Sequence, residues 1–172
     1  NSTARHDGWA IAANYNTKLD KISIGVAAGY VTMKNASGQS TAETNQNDPA
    51  GMIFGIKAKS AGTEVRVGLG KTVNGRGDTE DTSSTVLSLG AAHKWGAHGV
   101  SIAYVRGEVV GTNETSGEDE TKFVNIAYSK TLGPGVAWRT NLHFADYDGE
   151  DTTVTTDDAD SWALVTALKL SF

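Results

Sequence analysis

A chain of 172 residues with 15 Lys+Arg against 20 Asp+Glu carries a formal net charge of -5, which argues against non-specific nucleic-acid binding, so no nucleic-acid partner is expected. It has no cysteine, which excludes a disulfide framework and a thiolate metal site. Its hydrophobic fraction is 38% and no run approaches the roughly 20 apolar residues of a membrane helix, which excludes helical spanning but not spanning by strands, where only alternate residues need be apolar. Abundant Gly, Thr and Ser between short apolar stretches points to an all-β chain. It opens N-S-T-A-R-H with no charged and apolar leader, so any export signal is expected either to have been removed or to lie outside this sequence.

Taken in order with period two, residues 7–17 place Trp9, Ile11, Ala13 and Tyr15 on one face against Ala10, Ala12, Asn14 and Asn16. After a turn at 18–21, residues 22–32 place Ile22, Ile24, Val26, Ala28 and Tyr30 against Ser23, Gly25, Ala27 and Gly29. Residues 34–50 read as a long polar loop. Met52, Phe54, Ile56 and Ala58 then back onto Lys57 and Lys59, and a tight turn at 60–63 leads to Val65, Val67 and Leu69 against Glu64, Arg66, Gly68 and Gly70. A second loop, 74–84, contains Arg76-Gly77-Asp78; the match to an integrin-binding tripeptide is short enough to recur by chance.

The fifth strand, 85–95, presents Leu87, Leu89, Ala91 and Trp95 and turns at 96–99. The sixth, 100–109, carries Val100, Ile102 and Tyr104, although Ala103 and Val105 on its second face leave its register open. A loop with Glu114, Glu118, Asp119 and Glu120 precedes a seventh strand with Val124, Ile126 and Tyr128. The turn Leu132-Gly133-Pro134-Gly135 follows, where proline has no ladder bond to lose. Val136, Trp138, Thr140, Leu142 and Phe144 oppose Arg139, Asn141, His143 and Ala145 on the eighth strand, and residues 148–158 form the last loop. The closing strand, 159–172, sets Trp162, Leu164, Thr166, Leu168, Leu170 and Phe172 against Ser161, Ala163, Val165, Ala167, Lys169 and Ser171.

Connections alternate between a short turn and a long loop, the asymmetry of outer-membrane barrels with short periplasmic turns and long extracellular loops. With the long loops outside, the aromatic residues sort by height. Trp9, Tyr30, Tyr104, Phe144 and Trp162 fall at the loop end; Tyr15, Trp95, Tyr128, Trp138 and Phe172 fall at the turn end. Two interfacial girdles on one face are what a lipid-spanning sheet needs and a soluble sandwich does not. The expectation is an antiparallel transmembrane β-barrel, all-β, with about nine strands visible over one barrel segment, 1–172, and no separate soluble domain. An odd count in an open sheet leaves two edges unpaired in lipid, so further strands are expected from another segment, chain or copy; a miscounted pair is the alternative.

Thr131-Leu132-Gly133-Pro134-Gly135-Val136, the following strand ending Phe144-Ala145-Asp146-Tyr147-Asp148, and the closing Ala167-Leu168-Lys169-Leu170-Ser171-Phe172 together resemble the C-terminal region of Gram-negative general porins, particularly those of alphaproteobacteria. The resemblance implies the C-terminal part of a 16-stranded porin barrel in the bacterial outer membrane. It further implies a homotrimer, a water-filled channel per monomer narrowed by an inward loop upstream of residue 1, and recognition of the terminal strand by the outer-membrane assembly machinery.

On the face opposite the girdles stand the basic residues Lys57, Lys59, Arg66, Lys94, Arg139, His143 and Lys169, with Glu64 as the clear acid. Basic groups lining a pore bias it toward anions; the bland reading is that they solvate the wall and pair locally. Most are expected in the turn-end half, with Arg139 and His143 nearer mid-height.

The loops carry the acid, with only Lys34 and Arg76 to oppose it. Asp148, Glu150, Asp151, Asp157 and Asp158 offer weak contacts for Ca²⁺ or Mg²⁺, and through them for lipopolysaccharide, while solvated loops with no bound metal are the plainer reading. No nucleophile and base constellation supports catalysis: His93 and His98 lack further ligands, and His93 stands alone on its face. Two functional readings result. One is a channel for passive diffusion of small hydrophilic solutes and ions, favoured by inward glycines (Gly25, Gly68, Gly70 and Gly90) that leave volume unfilled. The other is a non-conducting structural or adhesive barrel acting through its acidic loops.

Overall fold

The computed structural model describes residues 5–35, 48–73, 83–110, 118–149 and 158–171. Nine strands follow one another: β1 (Arg5–Leu19), β2 (Ile22–Asn35), β3 (Ala50–Ser60), β4 (Thr63–Val73), β5 (Ser83–Trp95), β6 (His98–Val110), β7 (Glu118–Gly133), β8 (Val136–Asp148) and β9 (Ala159–Leu170). They form one antiparallel sheet in sequence order, each strand pairing with the next. Among the described residues β1 and β9 are the sheet's edges and the ladder does not close.

Cross-strand register joins the alternating faces into two continuous surfaces. Phe54 lies opposite Leu69, Leu69 opposite Leu87, and Ile102 opposite Ile126, so apolar residues share one face, termed outward here. Val100, Ile102 and Tyr104 pair with Tyr128, Ile126 and Val124, which settles the register of β6 in favour of that face. No described hydrophobic side chain is buried: Trp162 is 70% exposed, Tyr15 67% and Ile11 65%. A sheet in water would cover such a surface, whereas one in lipid has no reason to.

The rows of partners climb relative to the strand ends. One outward row begins at Tyr15 near the turn end of β1, runs through Ile56, Leu89 and Val124, and finishes at Trp162 near the loop end of β9. Such stagger accompanies the strand tilt that lets a sheet curl into a barrel.

The strands exceed the lengths expected from apolar alternation, chiefly at their loop ends. Glu118, Asp119 and Glu120, expected in a loop, begin β7, and Asp148 ends β8. Pairing continues there although like charges stand directly opposite, Arg106 to Lys122 and Glu108 to Glu120, because Arg106 forms an ion pair diagonally with Glu120. At the other end the connections are two-residue turns. Gly62 has φ +83°, and a Cβ there would stand 2.5 Å from the Lys94 carbonyl oxygen; Gly135 has φ +69° and meets Ser171 in the same way. Lys94 N–H donates to Gly62 O and Ser171 N–H to Gly135 O, so these two turns are tied to the next strand along. The Arg76-Gly77-Asp78 tripeptide lies outside the described residues.

Candidate functional site

The inward face is built around β3 and β4. Lys57 and Arg66 are direct cross-strand partners, and Lys59 is opposite Glu64. Arg66 forms an ion pair with Glu64 two residues away on its own strand. One acid, paired with Arg66, therefore stands among three cations. The Arg66 side chain remains 65% exposed, which leaves its field open to the lumen.

The glycines beside this cluster are not empty floor. A Cβ on Gly25 would stand 2.6 Å from Lys57 Cε and 2.7 Å from Asn16 Oδ1, and one on Gly90 would stand 2.9 Å from Arg66 Cγ. The two basic stems thus lie along the wall over neighbouring strands, and Ser88 leans over Gly68 in the same fashion. Of the four glycines expected to leave volume, only Gly70 has no atom nearer than 3.9 Å.

Lys94 lies opposite Gly99, Arg139 between Ser129 and Ala167, and Lys169 opposite Ala137. No described carboxylate pairs with these three. By register they share the face of Lys57 and Arg66, spread along the turn-end half of β5, β8 and β9. His143 occupies the same oblique row as Lys57 and Arg66 but is packed: its Nδ1 lies 2.9 Å from Asn125 Nδ2, and its ring sits 5.6 Å from that of Phe123. Phe123 had no assigned role in the sequence because its neighbours Lys122 and Val124 define the other face. The inward wall is also less polar toward the loop end, where Val31, Ile53 and Val86 line a groove over Gly29, Gly51 and Gly70.

On the outward face the aromatic residues meet in two groups. At the loop end Trp9 and Tyr30 are 5.3 Å apart, and Phe144 is opposite Trp162, with Tyr104 two strands away in the same row. At the turn end a chain of rings runs from His93 to Trp95 (5.5 Å), His98 (5.6 Å), Tyr128 (6.0 Å) and Trp138 (5.8 Å). His93 is therefore not alone: it stacks on Trp95 and shares a hydrogen bond with Thr63 Oγ1. Tyr15 stands apart in β1, and Phe172 lies outside the described residues.

The acid of the loop end is also better opposed than the sequence suggested. Beyond the Tyr104, Phe144 and Trp162 row, Arg106 makes two hydrogen bonds to Glu120, at 2.8 and 3.0 Å, and an ion pair to Glu108. Lys122 bridges Glu120 and Asp146. Arg106 and Lys122 supply counter-charges through ion pairs that only the placing of β6, β7 and β8 side by side exposes. No group of three or more metal-ligating side chains assembles among the described residues. Glu150, Asp151 and Asp157 lie outside them, while Asp148 and Asp158 are described.

An open antiparallel sheet with short turns at one end, an apolar aromatic-banded face and an opposite face lined by basic groups is the wall of a membrane β-barrel. A family model described as Gram-negative porin matches residues 1–152, and the chain belongs to that family. No curated protein matched significantly. Family membership makes the protein a non-enzymatic diffusion channel of the bacterial outer membrane.

Proposed function

We propose that this chain supplies an anion-biased wall to the channel, with Lys57, Lys59 and Arg66 as its centre and Lys94, Arg139 and Lys169 extending it toward the turn end. One observation carries the reading: Lys57 and Arg66 face each other directly on the inward surface. Like charges placed opposite one another across a sheet lower stability. Retaining two there is physically reasonable when the field serves passage of solutes, since cationic side chains lining a pore favour anions and orient polar molecules. Glu64 offsets one of the three charges, leaving the cluster net positive. His143, held by Asn125 and Phe123, contributes a packed polar group to the same wall.

The proposal extends to the whole barrel. The nine strands are the C-terminal part of a sixteen-stranded porin of alphaproteobacterial type, whose other strands pair with the β1 and β9 edges. Support comes from the cost of leaving those edges in lipid, several kcal/mol for each unsatisfied backbone group. The aromatic groups are the two interfacial girdles, with lipopolysaccharide at the loop end, a homotrimer in the membrane and the terminal strand read by the assembly machinery. Intact mass of the purified, conducting protein tests the strand count. A mass well above that of this chain, or a fixed stoichiometry of several chains per barrel, is expected; a conducting barrel made of one such chain contradicts it.

A further inference from the structure

At the turn end of the outward face, Trp95, His98, Lys130 and Trp138 are successive cross-strand partners on β5, β6, β7 and β8. We propose that this row is a docking site for the phosphodiester headgroup of an anionic membrane phospholipid. Lys130 and His98 are its donors and the two indoles its walls. The inference rests on the apolar face meeting lipid; the loop-outside orientation decides only that the leaflet is the periplasmic one.

The donors are held in place. His98 Nδ1 lies 2.7 Å from Tyr128 Oη, and the Trp95 indole stacks on the imidazole at 13°. With Nδ1 committed, Nε2 is the nitrogen left to meet a ligand. Trp138 is oriented by its own bond, Nε1 donating to Thr166 Oγ1 at 2.7 Å, and by the edge of Tyr128. Leu168, opposite Trp138, continues the row with an apolar side chain suited to the start of an acyl chain.

Charge selects the ligand. No described carboxylate lies on the outward face at this end of β5 to β9, and Lys130 has no ion pair among the described residues. At the loop end the outward cations Arg106 and Lys122 are both engaged by acids. The turn end therefore offers one cation, Lys130, and beside it the Nε2 edge of His98 for another partner. Rings at an apolar boundary favour an anion attached to a lipid over one free in water, because they gain contact with its glycerol and upper acyl segments.

The test is lipid retention by the complete, delipidated porin after exchange into mixed vesicles of phosphatidylglycerol and phosphatidylcholine, read by native mass spectrometry with single-channel conductance on the same preparations. The protein is expected to retain phosphatidylglycerol preferentially, Lys130→Gln to lower that retention about fivefold, the scale of one basic group at an anionic surface, and His98→Gln to lower it by less through loss of one hydrogen bond. Conductance should not change in either variant. Lys130→Arg should restore retention, and Lys94→Gln, at the same end but on the inward face, should leave it intact. Millimolar inorganic phosphate should not displace the lipid. Undiminished retention in both Gln variants, an equal loss in Lys94→Gln, or displacement by phosphate would each overturn the proposal. A change in pore selectivity in Lys94→Gln with unchanged lipid retention would bear on the channel reading alone.

Discussion

Lys57 and Arg66 stand directly opposite each other on the inward side of the β3–β4 hairpin, each laid across a glycine of the strand beyond: Lys57 over Gly25 of β2 and Arg66 over Gly90 of β5. Two cations and two glycines form one unit. The glycines let the stems lie flat, which spreads positive charge along the wall instead of projecting it into the channel.

Adding a side chain beneath a stem should move it. Gly90→Ala places a methyl 2.9 Å from Arg66 Cγ, part of a flexible chain that can swing away. The expected outcome is a change in single-channel conductance with a stability loss under about 1 kcal/mol, since a flexible side chain relieves the contact. A loss of folding with unaltered conductance in the remaining barrels would contradict this view of the glycine.

Gly135→Ala should behave differently. Its φ of +69° and the Ser171 carbonyl, which an added Cβ would strike, leave backbone rather than side chain to yield. A cost of roughly 1–2 kcal/mol or more is expected from the left-handed conformation together with the clash, measured as a lowered urea midpoint of barrel unfolding.

The assignment of faces can be tested at two adjacent residues of β5. Leu89 lies in the outward row between Val67 and Tyr104, and Ser88 points inward beside Gly68 and Val105. Leu89→Arg should destabilise the barrel by about 2–4 kcal/mol and Ser88→Arg by far less, because charge near the bilayer midplane is costly on the lipid side only. Equal costs in reversible unfolding from lipid vesicles would mean the faces are wrongly assigned.

Beyond the loop-end aromatic row, outside the membrane-spanning segments, the hydrogen bond from Arg106 and then that from Lys122 hold Glu120 down at about 2, against an ordinary 4.5. A depressed folded-state value means the contribution to stability is complete above the ordinary value and is lost as pH falls through about 2. Glu120→Gln should therefore lower stability at neutral pH, with the difference from the parent closing as the pH is brought below the carboxylate range. Its partner Arg106 is 43% exposed and the pair lies at the water-facing end of the sheet, so the effect should be small and should weaken with salt.

How much of this was legible in the sequence depends on whether the signal is local. Period-two alternation marks each strand, and the sorting of Trp9, Tyr104 and Trp162 from Trp95 and Trp138 gives two heights before any coordinate is known. The strand ends were less legible, because Glu118 to Glu120 look like loop until Arg106 and Lys122 are placed beside them. Cross-strand relations were the hardest to see. Nothing in the sequence says that Lys57 covers Gly25, that Phe123 packs on His143 across β7 and β8, or that Trp95 stacks between His93 and His98. Register decides each of these, and register is a property of pairs of strands.

The measurement that tests the central claim most directly is the reversal potential of single channels in a salt gradient, for the parent and for Lys57→Glu combined with Arg66→Glu. The account predicts anion preference in the parent and a clear shift toward cations in the double variant. A parent that prefers cations, or a reversal potential that the double substitution leaves unmoved, would contradict a selectivity role for the Lys57 and Arg66 wall.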